Sequence, residues 1–158
     1  MRRVFKDFIE DIGKDESVIL IVGDVGGEIV EDFANKYPKR FFNFGICEQT
    51  IIGIAAGMAK QGFKPYIYGT TPFFLERAFE QIKIDIDFMK ANVKIIGYED
   101  YASFGQSHQC LDEVKLLECF DNIFWHLPYD SKNTLYYLNK YHELNNPSIL
   151  LLHRDTFI

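Results

Sequence analysis

Residues 17–27 read Ser17-Val-Ile-Leu-Ile-Val-Gly-Asp-Val-Gly-Gly27, a short β-branched run closed by a glycine-rich turn. A continuous apolar run of this length suits a strand covered on both faces, as in a parallel sheet. Upstream, Val4, Phe5, Phe8, Ile9 and Ile12 recur at helical spacing, so an amphipathic helix precedes it. Downstream the same alternation continues. A short helix over 29–36 is stopped by Tyr37-Pro38, and residues 40–44 form the next strand. A helix over 48–61 ends at Gly62. Then come strand 65–69, helix 73–89, strand 93–98, an irregular loop, helix 109–119, strand 122–127, helix 131–142 and strand 148–153. The expected fold is a three-layer α/β arrangement, an about six-stranded, mainly parallel sheet with helices on both faces. Ligands on such sheets bind outside the carboxyl ends of the strands. The loops that matter are therefore 23–28, 45–48, 69–73, 98–108 and the tail after Leu152.

With 158 residues and neither repeat nor linker, residues 1–158 are expected to form a single domain. The formal charge is −6 and the acidic residues are scattered. Nucleic acid is an unsuitable partner, since phosphate neutralisation needs clustered Lys and Arg. Cys47, Cys110 and Cys119 make no paired or metal-binding spacing. An odd cysteine count and a charged N-terminal stretch lead us to expect a reduced, cytoplasmic protein. No segment reaches the ~18 apolar residues of a membrane span.

Three segments carry polar groups to the carboxyl edge. In Asn43-Phe-Gly-Ile-Cys-Glu48-Gln49, a strand gives way to a helix rich in small residues, Gly53, Ala55, Ala56, Gly57 and Ala59. Mid-helix glycine costs up to about 1 kcal/mol against alanine, so the pair suggests close packing on another helix. Glu48 can project into a crevice there, although a helix-capping or exposed glutamate is the commoner role for that position. In Tyr68-Gly-Thr-Thr-Pro-Phe-Phe-Leu-Glu-Arg77, an aromatic pair opens a helix bearing Arg77. Taken alone, Phe73 and Phe74 read more readily as core than as a stacking platform. In Gly105-Gln-Ser-His-Gln109, His108 lies where an imidazole could move protons near neutral pH, though lone loop histidines are usually solvated.

As an ordered set, these segments resemble the pyrimidine-binding domain of transketolases and 1-deoxyxylulose-5-phosphate synthases. Those families share N-x-G-I-x-E-Q, G-I-A-A-G-x-A, an aromatic with R-A-x-x-Q, and a G-x-[ST]-H-Q loop. The terminal Pro147-Ser-Ile-Leu-Leu-Leu-His-Arg154-Asp resembles their closing strand with its arginine. The resemblance runs from about Val18 to the end. It implies the thiamine diphosphate-binding fold and that cofactor. Glu48 matches the glutamate that hydrogen-bonds N1′ of the aminopyrimidine and favours the imino tautomer that deprotonates the thiazolium carbon. Phe74 best matches the ring on which the aminopyrimidine stacks, with Phe73 possible, and Arg77 lies beside it. Asp24 matches an acidic position bordering the cofactor, with a turn-forming aspartate the equal alternative. His108 matches the histidine that contacts the donor substrate, and Arg154 the arginine that holds a substrate phosphate.

Two departures bear on the substrate. The segment before His108 is about three residues shorter than in transketolases, and Phe104 replaces an aspartate that reads a sugar hydroxyl. Glu28 falls near a phosphate-binding serine and should repel a phosphorylated sugar. The diphosphate-binding domain and the usual C-terminal domain have no counterpart here. The resemblance therefore implies a separate diphosphate-binding subunit that holds the Mg2+, an α2β2 heterotetramer, and no activity for this chain alone. The implied reaction moves a two-carbon ketol unit between sugar-like substrates. A 2-oxo-acid decarboxylase or dehydrogenase component is the alternative enzyme, and a non-catalytic relative using the fold for assembly is the alternative of another class.

Overall fold

In a computed structural model, which describes residues 1–98 and 104–153, the apolar run before the glycine-rich turn is β1 (Val18–Val22), buried along its whole length. Six strands form one sheet: β1, β2 (Phe41–Asn43), β3 (Lys64–Thr70), β4 (Lys94–Tyr98), β5 (Phe124–His126) and β6 (Ser148–Leu152). Their order is β2-β1-β3-β4-β6-β5 and every pairing is parallel, so the sheet is more uniform than the expected mainly parallel one. From β1 the chain moves outward to β2, then returns past β1 to β3. The winding thus reverses between β1 and β3, and a crevice opens at the carboxyl ends there.

Strand periodicity divides the interior in two. Ile21, Ile67, Ile95 and Ile149 pair side by side across four strands and point into one core. Their neighbours Val22, Tyr68, Ile96 and Leu150 form the next row and point into the other. The first core is covered by α3 (Glu48–Lys60), α4 (Thr71–Leu75), α5 (Phe79–Gln81) and α6 (Glu113–Leu117). The second is covered by α1 (Arg2–Ile12), α2 (Glu31–Lys36) and α7 (Ser131–Glu143). Each such buried aliphatic side chain contributes roughly 1.5–3 kcal/mol, so the two rows stabilise the sheet from both faces. No helix of the described residues is long and apolar enough to cross a membrane.

Two expectations about helices are corrected. The helix foreseen over 73–89 is broken: α4 ends at Leu75, α5 covers three residues, and Ile82–Phe88 is a π-helical stretch. The Pro72 carbonyl accepts from both Glu76 and Arg77 N–H at 3.1 Å, which ends α4 in a wide turn. The buried Asp87 carboxylate accepts the N–H groups of Asp121 and Asn122, tying the π-helical stretch to the turn before β5. The helix foreseen over 109–119 shrinks to α6, because the Asp112 side chain caps it through Lys115 N–H. Finally, the two exposed glycines of α3 differ: a Cβ on Gly53 would meet Asp85 of the π-helical stretch at 3.8 Å, whereas one on Gly57 would meet nothing within 4 Å.

Candidate active site

The site grows from the turn that follows β2. The Asn43 side-chain oxygen accepts the Asp24 N–H at 2.9 Å and the Gly45 N–H at 3.0 Å, joining the loops after β1 and β2. Gly45 has φ +76°, a conformation that strains any residue carrying a Cβ. This turn drops Glu48 into the first position of α3 with its side chain directed inward, only 2% exposed. An isolated buried carboxylate is costly, and here Arg77 compensates. Its Nη1 donates to both Glu48 oxygens at 3.0 Å. The Arg77 side chain is itself 41% exposed, so the pair is dry on the Glu48 side and wet on the other.

The wide turn after α4 is what aims Arg77 at Glu48. The guanidinium also lies over the Phe73 ring, 4.3 Å from its centre. On its other side Phe73 meets the His108 imidazole edge-on, with ring centres 4.9 Å apart. His108 ends a short 3-10 turn, Gln106–His108, entered through Gly105 at φ +89°. Its Nδ1 lies 3.1 Å from the Ser107 hydroxyl, and the exposed Phe104 ring is 5.3 Å away. Glu48, Arg77, Phe73 and His108 thus follow one another across the crevice, a chain of contacts the sequence could only suggest as separate segments.

Phe74 and Phe73 differ in burial. Phe74 is 2% exposed and belongs to the core beneath the crevice. A Cβ on Gly69 would come within 2.1 Å of its ring, so the ring lies directly on the end of β3. In this conformation Phe74 floors the site, and Phe73 is the half-buried ring that lines it. Asp24 is exposed and has φ +59°, a conformation that turns the chain after β1. Glu28, in the 3-10 turn Gly27–Ile29 that follows β1, is exposed, and Ile29 of that turn joins the second core. Arg154 lies outside the described residues, as do residues 99–103 of the shortened segment before His108.

Some participants are not evident from sequence. Asn43 stands there only as part of a motif, although a polar residue closing a strand is a recognisable signal for a turn organiser. The Thr70 and Thr71 hydroxyls are buried at the end of β3 and have no hydrogen-bond partner among the described residues. Glu76 is a further participant, and nothing in its local sequence marks it. Among the described residues, no group of three or more His, Cys, Asp or Glu side chains could hold a metal ion. The three cysteines are free thiols.

Comparison with known proteins points the same way. Residues 1–157 match the family described as "Transketolase, pyrimidine binding domain". The chain is 32% identical over 138 residues to a subunit of the apulose-4-phosphate transketolase of Phocaeicola vulgatus, covering 84% of this chain and 44% of that protein. It is 36% identical over 152 residues to 1-deoxy-D-xylulose-5-phosphate synthase of Natranaerobius thermophilus, covering 92% of this chain and 24% of the synthase. It therefore spans less than half the length of these relatives. Among solved structures, one described as a split gene transketolase, inactive beta4 tetramer, superposes with a TM-score of 0.85 at 30% identity. The match covers 97% of this chain and 51% of that one.

Proposed function

The chain belongs to the transketolase pyrimidine-binding domain family, and from that premise we propose that it is one subunit of a heteromeric, transketolase-like carboligase. The observation that carries this reading is the buried Glu48 carboxylate, held at a carboxyl-edge crevice and flanked by an accessible aromatic ring and an imidazole.

These residues fit the aminopyrimidine end of thiamine diphosphate. A carboxyl suits a ring nitrogen, a half-buried phenyl ring suits a heteroaromatic face, and both lie in one crevice. When bound, the cofactor supplies an acidic thiazolium carbon that adds to a carbonyl group. Everything else falls to the protein. Glu48 holds a proton at N1′, and to do so it gives up part of its contact with Arg77. Phe73 orients the ring, and the Phe74 floor keeps water out from below. His108 moves a proton to or from an oxygen of the donor substrate, a role suited to imidazole near neutral pH.

The diphosphate and its Mg2+ belong to a partner subunit in this reading. We read the assembly as an α2β2 heterotetramer with two crevices, acting in the cytoplasm, in line with the preference of oligomers for two-fold symmetry. The substrate is a ketose-like or 2-oxo-acid donor. Phe104 beside His108 and Glu28 at the rim argue for an acceptor that differs from the usual phosphorylated sugars, with Arg154 left as the candidate phosphate contact.

The direct test is Glu48→Gln in the co-purified complex. Exchange of the thiazolium C2 proton should fall toward the rate of the cofactor in solution, while the circular dichroism spectrum stays unchanged. Exchange at the wild-type rate would remove the carboxyl from the mechanism.

A further inference from the structure

The His108 segment, Gly105 to Leu111, contains no strand and no helix longer than one 3-10 turn. Such a segment keeps a fixed position only through contacts to something rigid. Glu76 supplies one. Its Oε1 accepts the Leu111 N–H at 2.7 Å, a short charge-assisted bond across 35 residues of sequence. The Cys110 thiol lies close enough to this carboxylate to feel its charge: burial, and then the nearby Glu76 and Glu113 charges, push the thiol up to about 12.

The position of Glu76 in the chain gives this bond its meaning. Phe73, Glu76 and Arg77 lie within five residues at the wide turn that ends α4. Phe73 touches His108, Glu76 holds the segment three residues beyond His108, and Arg77 holds Glu48. One rigid turn, seated on the carboxyl end of β3, therefore fixes both the carboxylate and the imidazole. The edge-on contact of Phe73 with His108 sets a distance but resists sliding weakly. The Glu76–Leu111 bond fixes the register.

We propose that Glu76 is a positioning residue, which clasps the Cys110-Leu111 backbone and so sets where His108 stands relative to Glu48. The proposal rests on the functional reading above for its effect on turnover, and on geometry alone for its effect on the segment. It does not place Glu76 in contact with substrate or cofactor.

The test uses Glu76→Ala and Glu76→Gln, each in the isolated chain and in the co-purified complex. Gln keeps a carbonyl oxygen that can accept the Leu111 N–H; Ala does not. In the isolated chain, Glu76→Ala should raise hydrogen exchange at the Leu111 amide at least tenfold and shift the His108 ring signals in NMR spectra. Glu76→Gln should restore most of both. In the complex, Glu76→Ala should lower kcat about ten- to hundredfold per cofactor-loaded site, in line with the cost of misplacing a reacting group by about an ångström. KM for the donor and cofactor affinity should change less than threefold, and Glu76→Gln should recover most of the loss. Unchanged exchange and unchanged His108 signals in the alanine variant would overturn the clasp. Altered signals with wild-type kcat in an active complex would overturn the positioning role. If the wild-type complex has no carboligase activity, the functional reading fails, and the exchange and NMR measurements still decide the clasp.

Discussion

At the scale of single residues, the Glu48–Arg77 pair links the proposed chemistry to the stability of the chain. A carboxylate with 2% exposure needs a cation, and Nη1 of Arg77 serves both of its oxygens. Arg77→Ala should therefore destabilise the chain by leaving Glu48 buried without a partner. A fully buried pair broken on one side costs roughly 3–5 kcal/mol. Arg77 is partly solvated, so water screens the loss and about 1–3 kcal/mol is expected. Adding Glu48→Gln to Arg77→Ala should recover at least half of it, because a neutral amide is cheaper to bury than an orphaned charge. Urea unfolding of the two single variants and the double variant measures the cycle. Equal stability of Arg77→Ala and the wild type would mean that the pair does not compensate burial. The pairing itself was not legible in the sequence. Glu48 and Arg77 were each visible in a motif, but their contact depends on a turn whose hydrogen bonds converge on the Pro72 carbonyl.

At the scale of elements, α4 separates two adjacent rings that spacing alone could not tell apart. Phe73 and Phe74 are adjacent, and helical geometry sends them in different directions, one to the crevice and one to the core beneath β3. Phe74→Ala should cost about 3–5 kcal/mol of stability, as for other buried aromatic truncations. Phe73→Ala should leave the fold nearly unchanged and weaken cofactor binding in the complex about two- to tenfold, the scale of one stacking contact. The reverse pattern, measured by unfolding and by titration, would return the stacking role to Phe74. The opposite edge of the sheet carries a separate, purely structural device. Arg40 donates to the carbonyls of Gly13, Asp15 and Val18, fixing the start of β1. Asp15 itself accepts from Ser17 N–H and Oγ and from Lys64, and these bonds, the Ser17 pair foremost, hold its carboxyl down to about 2 from the usual 3.8. A depressed carboxylate stabilises the fold above its unfolded value and loses that contribution as pH falls through the folded one. The stability gap between wild type and Asp15→Asn should therefore be open at neutral pH and close between 3.8 and about 2. A gap independent of pH would show that charge is not its origin. The strands were legible because β1 and β6 are almost wholly apolar runs and segments of helical spacing separate the others. The broken helix was not, since Ile82, Ile84 and Ile86 alternate in a way compatible with either a strand or a widened helix turn.

At the scale of the molecule, the proposed function makes the carboxyl edge one half of a shared site. The crevice between β1 and β3 gathers a carboxyl, an accessible ring and an imidazole, and the exposed Phe44, Ile46, Phe104 and Leu111 surround it. Gly53 and Gly57 leave a shallow depression of about 310 Å³ beside Lys60, Asp85 and Met89 on the outer face of α3. These surfaces suit a chain that closes its site against a partner, and that closure is the central claim. Isothermal titration calorimetry with thiamine diphosphate and Mg2+ tests it most directly, first on the isolated chain and then on the chain co-purified with a diphosphate-binding subunit. Weak or undetectable, magnesium-independent binding is predicted for the chain alone, and tight, magnesium-dependent binding for the complex. Tight, magnesium-dependent binding by the chain alone would contradict it.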